Sequence, residues 1–465
     1  MGRRELARRM AEASYRALSE PGQTVAVNIF GIRNRLRMSA WVRYLSEIAY
    51  TETLPREQQV EYVASRLRDI LSHAVRTVPR YESLSRLLPD LERDESDVFS
   101  LLLEFPAIER DEIVADRRGF LSTAPGTNDI VKTQTSGTTG MPFATLMEME
   151  TFTRTDALWW RRNAWSGFKP GDWIARVVGD PVIPSTTRTP RHPWRVSWID
   201  RRLYLSTFHL GRDTVRAYLD VLDRRRPKYI MGYPSSLEIL ASLCEDAGRK
   251  LDWSPAVVFF SSEPMHDHQR ELIGRVFRAP IRGLYGCGER VVSASECPQG
   301  SYHLSLVDGF SEGQFGRLQT PKPGLFTTLM NRVMPLIRYR LGDVIEHRPD
   351  ATCACGRTLP IIEPVITKSE DWLETPSGRR ISPSVITWSF KDLAGVRRSQ
   401  VAQVDSGTIV VRLDADEPDM GAAAEILKRR LEEVFFGEME IKVVRDPEIE
   451  VMKSGKTKFV VREDR

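Results

Sequence analysis

The sequence predicts an α/β protein, with a large N-terminal α/β domain of several subdomains, one of them β-rich, and a small α+β C-terminal domain. Three observations lead there. From about Asp129 onward, short β-rich runs alternate with helical patterns, and strand-then-helix repetition implies parallel strands joined by helical crossovers. Pro321 to Tyr339 has instead the texture of strands and turns. The tail changes character again, and a chain of 465 residues is long enough for two or more cores.

Residues up to about Leu88 read as helical. Glu57 to Leu71 places Val60, Val63, Leu67 and Ile70 on one face, and Pro79 and Pro89 punctuate the region. Asp129–Lys132 reads as a strand end. The strand candidates Trp173–Val178, Tyr229–Gly232 and Ala256–Ser261 are interleaved with helix candidates Thr214–Arg224, Ser235–Ala247 and His266–Phe277. In the tail, Ile386–Phe390, Ala402–Val404, Thr408–Leu413, Met420–Phe435, Glu440–Val444 and Lys458–Val461 suggest strands around one or two helices. The boundary falls near Thr367–Trp372, giving domains 1–367 and 368–465 with a ligand cleft between them.

Composition narrows the function classes. Hydrophobic residues make up 41% and charged residues 28%, ordinary for a soluble globular protein. Apolar runs such as Val257-Val258-Phe259-Phe260 suit buried strands and are far too short to span a bilayer, so no membrane partner is expected. Net charge is only +4. The Arg-rich start (Arg3, Arg4, Arg8, Arg9) and the run Arg224-Arg225-Arg226-Pro227-Lys228 read as solvated surface, because no nucleic-acid motif accompanies them. The N-terminus lacks the apolar stretch of a secretory signal, and Gly2 lacks a myristoylation context. Five cysteines argue against a disulfide framework and for a reducing, cytoplasmic setting.

The chemistry-bearing segment is Thr135-Ser136-Gly137-Thr138-Thr139-Gly140. Gly137 and Gly140 allow close backbone approach to a ligand, and Ser136, Thr138 and Thr139 add hydroxyl donors, so the loop suits a polyphosphate. It is not a Walker loop. On composition alone an ordinary Ser/Thr/Gly turn reads equally well. The order of its residues closely resembles the signature loop of the adenylate-forming enzymes, the acyl- and aryl-CoA ligases, luciferases and peptide-synthetase adenylation domains.

Further segments extend that resemblance, toward the phenylacetate-CoA ligase-like branch. Leu284-Tyr285-Gly286-Cys287-Gly288-Glu289 stands where the family has aromatic-Gly-x-Thr-Glu, which implies Glu289 as a Mg2+ ligand and Tyr285, beside Gly286, against adenine. Ser261-Ser262-Glu263-Pro264 resembles a Gly-x-Glu-Pro stretch lining the adenine and acyl pockets. Ile337-Arg338-Tyr339-Arg340-Leu341-Gly342-Asp343 is similar to Arg-Tyr-Arg-Thr-Gly-Asp, with Asp343 for the ribose hydroxyls. Lys453-Ser454-Gly455-Lys456 resembles the closing Gly-Lys motif, and Lys456 becomes the candidate catalytic lysine. Val78-Pro79-Arg80-Tyr81 and Phe105-Pro106-Ala107-Ile108 add N-terminal similarity, leaving roughly the first 50 residues unassigned. Three departures stand out. Met141 replaces a lysine, Gly288 a Thr or Ser, and Thr367-Lys368-Ser369-Glu370 stands for Gly-Arg-x-Asp, with Lys368 keeping the charge and Glu370 at the hinge.

Cys297-x5-His303 and Cys353-Ala354-Cys355 supply three thiols and one imidazole, the ligand set of a closed structural zinc site. The spacing is looser than paired Cys-x2-Cys halves, so the chemistry alone leaves free cysteines as an alternative. Members of the resembled branch carry such a site, which implies Zn2+ here. Cys244 reads as plain core, and His266-Asp267-His268 as a helix start rather than a metal site.

The resemblance implies a mobile C-terminal domain, ATP and Mg2+ as requirements, and CoA as the co-substrate. The substrate is then an aryl or otherwise hydrophobic carboxylic acid, with Tyr233, Ser235 and Ser261 in its pocket. Transfer to an amine instead of CoA, and a non-catalytic nucleotide-binding relative, are the competing readings. The identity of the acid and the oligomeric state, a homodimer among the options, stay open.

Overall fold

The computed structural model describes residues 14 to 463 apart from 16, 125–128, 136–142, 180–181, 185–186, 188–189, 319–322, 366–372, 382, 391–392, 394–395, 416, 448 and 450–458. Its centre is a mixed sheet. Five neighbouring parallel strands run in the order Arg202–Leu205, Ile174–Val177, Tyr229–Gly232, Val257–Ser261 and Ile281–Gly286. Beyond the last of these lie the antiparallel strands Ser293–Glu296, Tyr302–Leu304, Ile361–Ile362 and His347–Arg348. Trp194–Ser197 closes the other edge, antiparallel to Arg202–Leu205.

Helices cover both faces, as a buried parallel sheet requires. On one face Val215–Arg225, Pro234–Asp246 and Asp267–Phe277 pack Tyr218, Leu222, Leu240 and Ile273 against Ala175, Ile230 and Val258. On the other, Trp160 of the helix Met149–Trp165 lies against Phe168, Ile174, Tyr229 and Phe259. The strand and helix candidates of this region thus hold to within a residue or two. Asp129–Lys132 is corrected: it opens a strand, Ile130–Thr135, which pairs antiparallel with Phe143–Glu148. The alternating β-branched residues Val131, Thr133 and Thr135 carry the ladder up to the Ser/Thr/Gly loop.

The N-terminal region is helical, with Glu20–Thr51 and Arg56–Thr77 as its long elements. In the second, Val63, Leu67, Ile70, Leu71 and Ala74 recur at helical spacing and are fully buried or nearly so. Gly309–Ser311, Leu325–Thr328 and Tyr339–Arg340 form the expected β-rich element, a small antiparallel sheet.

The C-terminal domain is an α+β unit. Its sheet runs Glu440–Arg445, Thr408–Ala415, Val396–Gln403, Val460–Arg462, and the helix Glu417–Phe435 packs Leu427, Leu431 and Phe435 onto it. Pro383–Ile386 and Thr387–Phe390 are short helical turns. Phe208 of the larger domain joins this core, and Arg379 Nη1 donates to Phe208 O at 2.7 Å. The expected boundary at 367/368 lies outside the described residues, as do Lys368 and the hinge residue Glu370.

Candidate active site

Parallel α/β sheets place ligands at the carboxyl ends of their strands, and most of the described candidate residues lie there. Tyr285 is the penultimate residue of the strand Ile281–Gly286, and its hydroxyl donates to Asp343 Oδ2 at 3.1 Å. Burial is the main reason that the Tyr285 phenol is pushed well above its ordinary range, with the Asp343 carboxylate adding to it. Gly286 is exposed, and a Cβ there would meet nothing closer than 3.6 Å, so the protein's own packing does not demand glycine. Close approach by a ligand would.

Glu289 is buried three residues on, and Tyr339 Oη donates to its Oε1 at 3.1 Å. Burial raises the Glu289 pKa, the Arg110 guanidinium and the Tyr339 hydroxyl oppose that rise, and Asp343 adds to it. The turn is held from outside. Arg290, at φ 56, donates to Phe152 O at 3.0 Å and Asp156 Oδ1 at 3.2 Å, and lies over the Phe152 ring. Thr133 Oγ1 donates to Gly288 O at 3.2 Å, which ties the strand leading into the Ser/Thr/Gly loop to the Glu289 turn.

The strand Tyr339–Arg340, three residues before Asp343, is pinned in turn. Arg338 Nε donates to Glu312 Oε1 at 2.7 Å, and Arg340 Nε to Glu109 Oε1 at 2.6 Å. Both arginines of the Arg-Tyr-Arg segment are therefore structural, leaving Tyr339 and Asp343 to face the site.

A second group forms at the next two strand ends. Ser262 follows Val257–Ser261 at φ 72, a left-handed conformation costing about 1 kcal/mol for a residue with a Cβ. It aims Glu263 at the helix Pro234–Asp246, where Glu263 Oε2 accepts from Ser235 N at 2.9 Å. A carboxylate at a helix start complements its dipole. Tyr233 caps that helix, and the buried Ser235 Oγ has no hydrogen-bond partner.

Cys297, His303, Cys353 and Cys355 converge, with all four ligand atoms within 4.8 Å of one another. Cys297 Sγ and Cys353 Sγ are 3.6 Å apart, and Cys355 Sγ is 3.3 Å from His303 Nε2. A disulfide needs about 2.05 Å. Tetrahedral zinc with Zn–S near 2.3 Å has S···S edges of about 3.7 Å, so the donor set fits zinc. His303 Nδ1 lies 3.2 Å from Leu359 O, the usual arrangement when Nε2 is the ligand. The surroundings are hydrogen-bonded as well. Glu52, buried at the end of the first long helix, accepts from Arg161 Nε at 2.8 Å and Trp165 Nε1 at 2.9 Å, and Trp165 lies edge-on to His303.

Two bland expectations also hold. Cys244 is buried core, its thiol pushed up to about 12. His266 precedes a helix, donating its N–H to Gln269 Oε1 at 3.0 Å.

The structure thus brings together Tyr285, Glu289 and Asp343, and separately Tyr233, Ser235, Ser262 and Glu263. Thr135 ends its strand, while Ser136, Gly137, Thr138, Thr139, Gly140, Met141 and Lys456 lie outside the described residues. Sequence reasoning missed Thr133, Arg110 and the role of Tyr339. Only Tyr339 had a local signal, as the aromatic between two arginines.

Comparison with known proteins supplies the rest. Residues 373–463 match a family described as the CapK C-terminal domain. The chain is 22% identical over 322 residues to Protein CapK of Staphylococcus aureus, covering 68% of this chain and 70% of that protein. It is 25% identical over 426 residues to a phenylacetate-coenzyme A ligase of Thermus thermophilus, covering 86% and 87%. Among solved structures, a 2-hydroxyisobutyryl-CoA ligase in complex with 2-HIB-AMP and CoA matches with a TM-score of 0.52 at 18% identity, covering 89% of this chain and 92% of that one. The fold is that of the adenylate-forming ligases. In sequence the chain is similar to a ligase of this kind along most of its length.

Proposed function

We propose that this protein uses ATP to convert a carboxylic acid into an acyl-adenylate and transfers the acyl group to CoA. The observation that carries the reading is the cluster Tyr285–Asp343 and Glu289–Tyr339 at the end of one parallel strand, linked through Thr133 and Gly288 to the strand entering the Ser/Thr/Gly loop. Such a cluster offers an aromatic face, a carboxylate for a ribose diol and a hard oxygen ligand side by side.

Tyr285 would stack on adenine while its bond to Asp343 aims that carboxylate at the ribose. Glu289 would hold Mg2+, which when bound would neutralise phosphate charge there. The substrate carboxylate would attack the α-phosphorus and pyrophosphate would leave, with Lys456 stabilising the charge that develops. The C-terminal domain would then turn about Glu370, and the CoA thiol would take the acyl group, expelling AMP. Tyr233, Ser235 and Ser261 would line the acyl pocket, for which an aryl or hydrophobic acid is the class proposed. The ligases of Thermus thermophilus and of the solved complex support CoA as acceptor. Zinc at Cys297, His303, Cys353 and Cys355 would be structural, since four protein ligands leave no open position.

The test is exchange of labelled pyrophosphate into ATP across a panel of carboxylic acids, followed by product analysis with CoA or amines. Acid-dependent exchange, its loss in Lys456→Ala, and an acyl-CoA product are expected. Silence across the panel would favour a non-catalytic relative, and an amide product would transfer the reading to amide synthesis. Unchanged exchange in Lys456→Ala would remove that lysine from the mechanism.

A further inference from the structure

The helix Glu20–Thr51 is mounted inside out over its first half. Apart from Val27, which packs with Val182, Ile183 and Tyr204, the side facing the protein is polar. Asn28 Nδ2 donates to Val196 O at 3.0 Å, and Asn28 Oδ1 accepts from Trp198 N at 2.8 Å. Asn34 Nδ2 donates to Asp200 Oδ2 at 2.9 Å, and Gln23 Oε1 accepts from Arg195 Nε at 3.1 Å. Gly31 sits so close to the edge strand that a Cβ there would lie 2.4 Å from Ser197 Oγ. The outward side carries Leu18, Val25, Ile29, Ile32 and Leu36, between 42% and 68% exposed. They recur at the spacing of one helical stripe. Trp198, beside Asn28, is 50% exposed as well.

A helix free to roll would turn such a stripe inward, because burial of apolar surface is what seats amphipathic helices. Here the hydrogen bonds and Gly31 hold the opposite orientation. The stripe is thus a displayed surface.

Its occupant follows from charge. The first 37 residues hold eight arginines and three glutamates, net +5, against +4 for the whole chain, so the rest of the chain is at −1. In the sequence the positive charge is therefore concentrated in this first segment, and Arg33 is exposed beside the stripe. Two copies meeting stripe to stripe would bring two such segments together, which like-charge repulsion opposes. An anionic surface complements both features.

We propose that this helix is a peripheral docking surface for an anionic phospholipid bilayer, the stripe seated at the headgroup boundary with Arg33 beside it on the headgroup charges. This revises the expectation of no membrane partner, which rested on the absence of a spanning run. No helix among the described residues is long and apolar enough to cross a membrane, and lying on one does not require it.

The test is co-sedimentation of the full chain with phosphatidylcholine vesicles, with and without phosphatidylserine, at low and high salt. Retention on the anionic vesicles alone, lost in high salt, is expected. Arg33→Ser should weaken it about fivefold, and Ile29→Ser with Ile32→Ser about tenfold or more. Because those side chains are exposed, thermal melts should be unchanged, and Val25→Ser with Leu36→Ser is the second variant if the first pair fails to fold. Retention that neither pair weakens would overturn the proposal, as would no retention. So would a lipid-free dimer abolished by either pair, which would give the stripe to a second copy.

Discussion

Tyr339→Phe isolates one atom of the site. Tyr339 is buried, and its hydroxyl donates to Glu289 Oε1 at 3.1 Å, so phenylalanine keeps the packing and removes the bond. A hydrogen bond to a charged group is worth about 1.5–3 kcal/mol. At about 1.4 kcal/mol per tenfold in rate, the loss in kcat/KM for ATP is roughly 10-fold to 150-fold if the carboxylate must be ionised to hold Mg2+. The pH dependence has a definite sign. Burial already raises the Glu289 pKa, and Tyr339 opposes that by favouring the carboxylate. Removing the bond raises it further, so the acidic limb of the pyrophosphate-exchange profile should move to higher pH, with the largest loss on the acidic side and partial rescue by excess Mg2+. Stability should follow the same linkage. A raised folded-state pKa contributes stability below the unfolded value and loses it as pH rises through the folded one. The variant should therefore be less stable than the parent on the alkaline side. An exchange profile superposable on the parent's, or a loss independent of both pH and Mg2+, would refute the reasoning.

Asp308 offers a second titration. It is fully buried, and burial pushes its carboxyl from 3.8 up to about 6, with the hydroxyls of Ser293 and Ser305 opposing the rise. Its stabilising contribution is present below about 4 and lost as pH rises through about 6, on the order of 3 kcal/mol by linkage. Asp308→Asn should therefore gain stability relative to the parent between about pH 4 and about pH 6 in urea melts and hold a level difference above that, and a difference constant from about pH 4 to about pH 6 would contradict the assignment. For the metal, elemental analysis should find one zinc per chain, lost in Cys353→Ser, and chelation should lower the melting temperature by about 5–10 °C. Metal-free protein with an equally stable Cys353→Ser variant would end the zinc proposal.

Much of the fold was legible because parallel strands buried on both faces read as continuous apolar runs. Val257-Val258-Phe259-Phe260 is such a run, and it lies near the middle of the sheet. Tyr285, Glu289 and Asp343 were legible as motif residues, although 58 positions separate the hydrogen-bonded pair. The supporting contacts were not. The Tyr339–Glu289 and Thr133–Gly288 bonds join residues 50 and 155 positions apart, and no local periodicity encodes such pairs. Gly288 illustrates the point, since the sequence shows there only a glycine where the resembled family has a Thr or Ser. The structure puts the Thr133 hydroxyl on its backbone carbonyl instead. The first long helix was illegible for another reason. It carries apolar residues on more than one side, and only its hydrogen bonds to Val196, Trp198 and Asp200 reveal which side faces out.

The Cys/His cluster bears on the site through sheet register. Tyr285 pairs with Ala294, in the strand that Cys297 follows, and His303 pairs with Ser295 and Ile361. Ile361 and Ile362 pair in turn with His347 and Arg348, four residues beyond Asp343. The two segments that meet in the Tyr285–Asp343 bond are therefore joined by a continuous ladder, and the cluster closes that ladder at its far end. The C-terminal core around Leu427, Leu431 and Phe435 shares none of these strands. Cooperative units follow shared packing. Loss of a metal at Cys297, His303, Cys353 and Cys355 should loosen the Tyr285–Asp343 pair, and nucleotide affinity with it, while that C-terminal core keeps its hydrogen-exchange protection. Simultaneous loss of both would show that the two cores unfold as one.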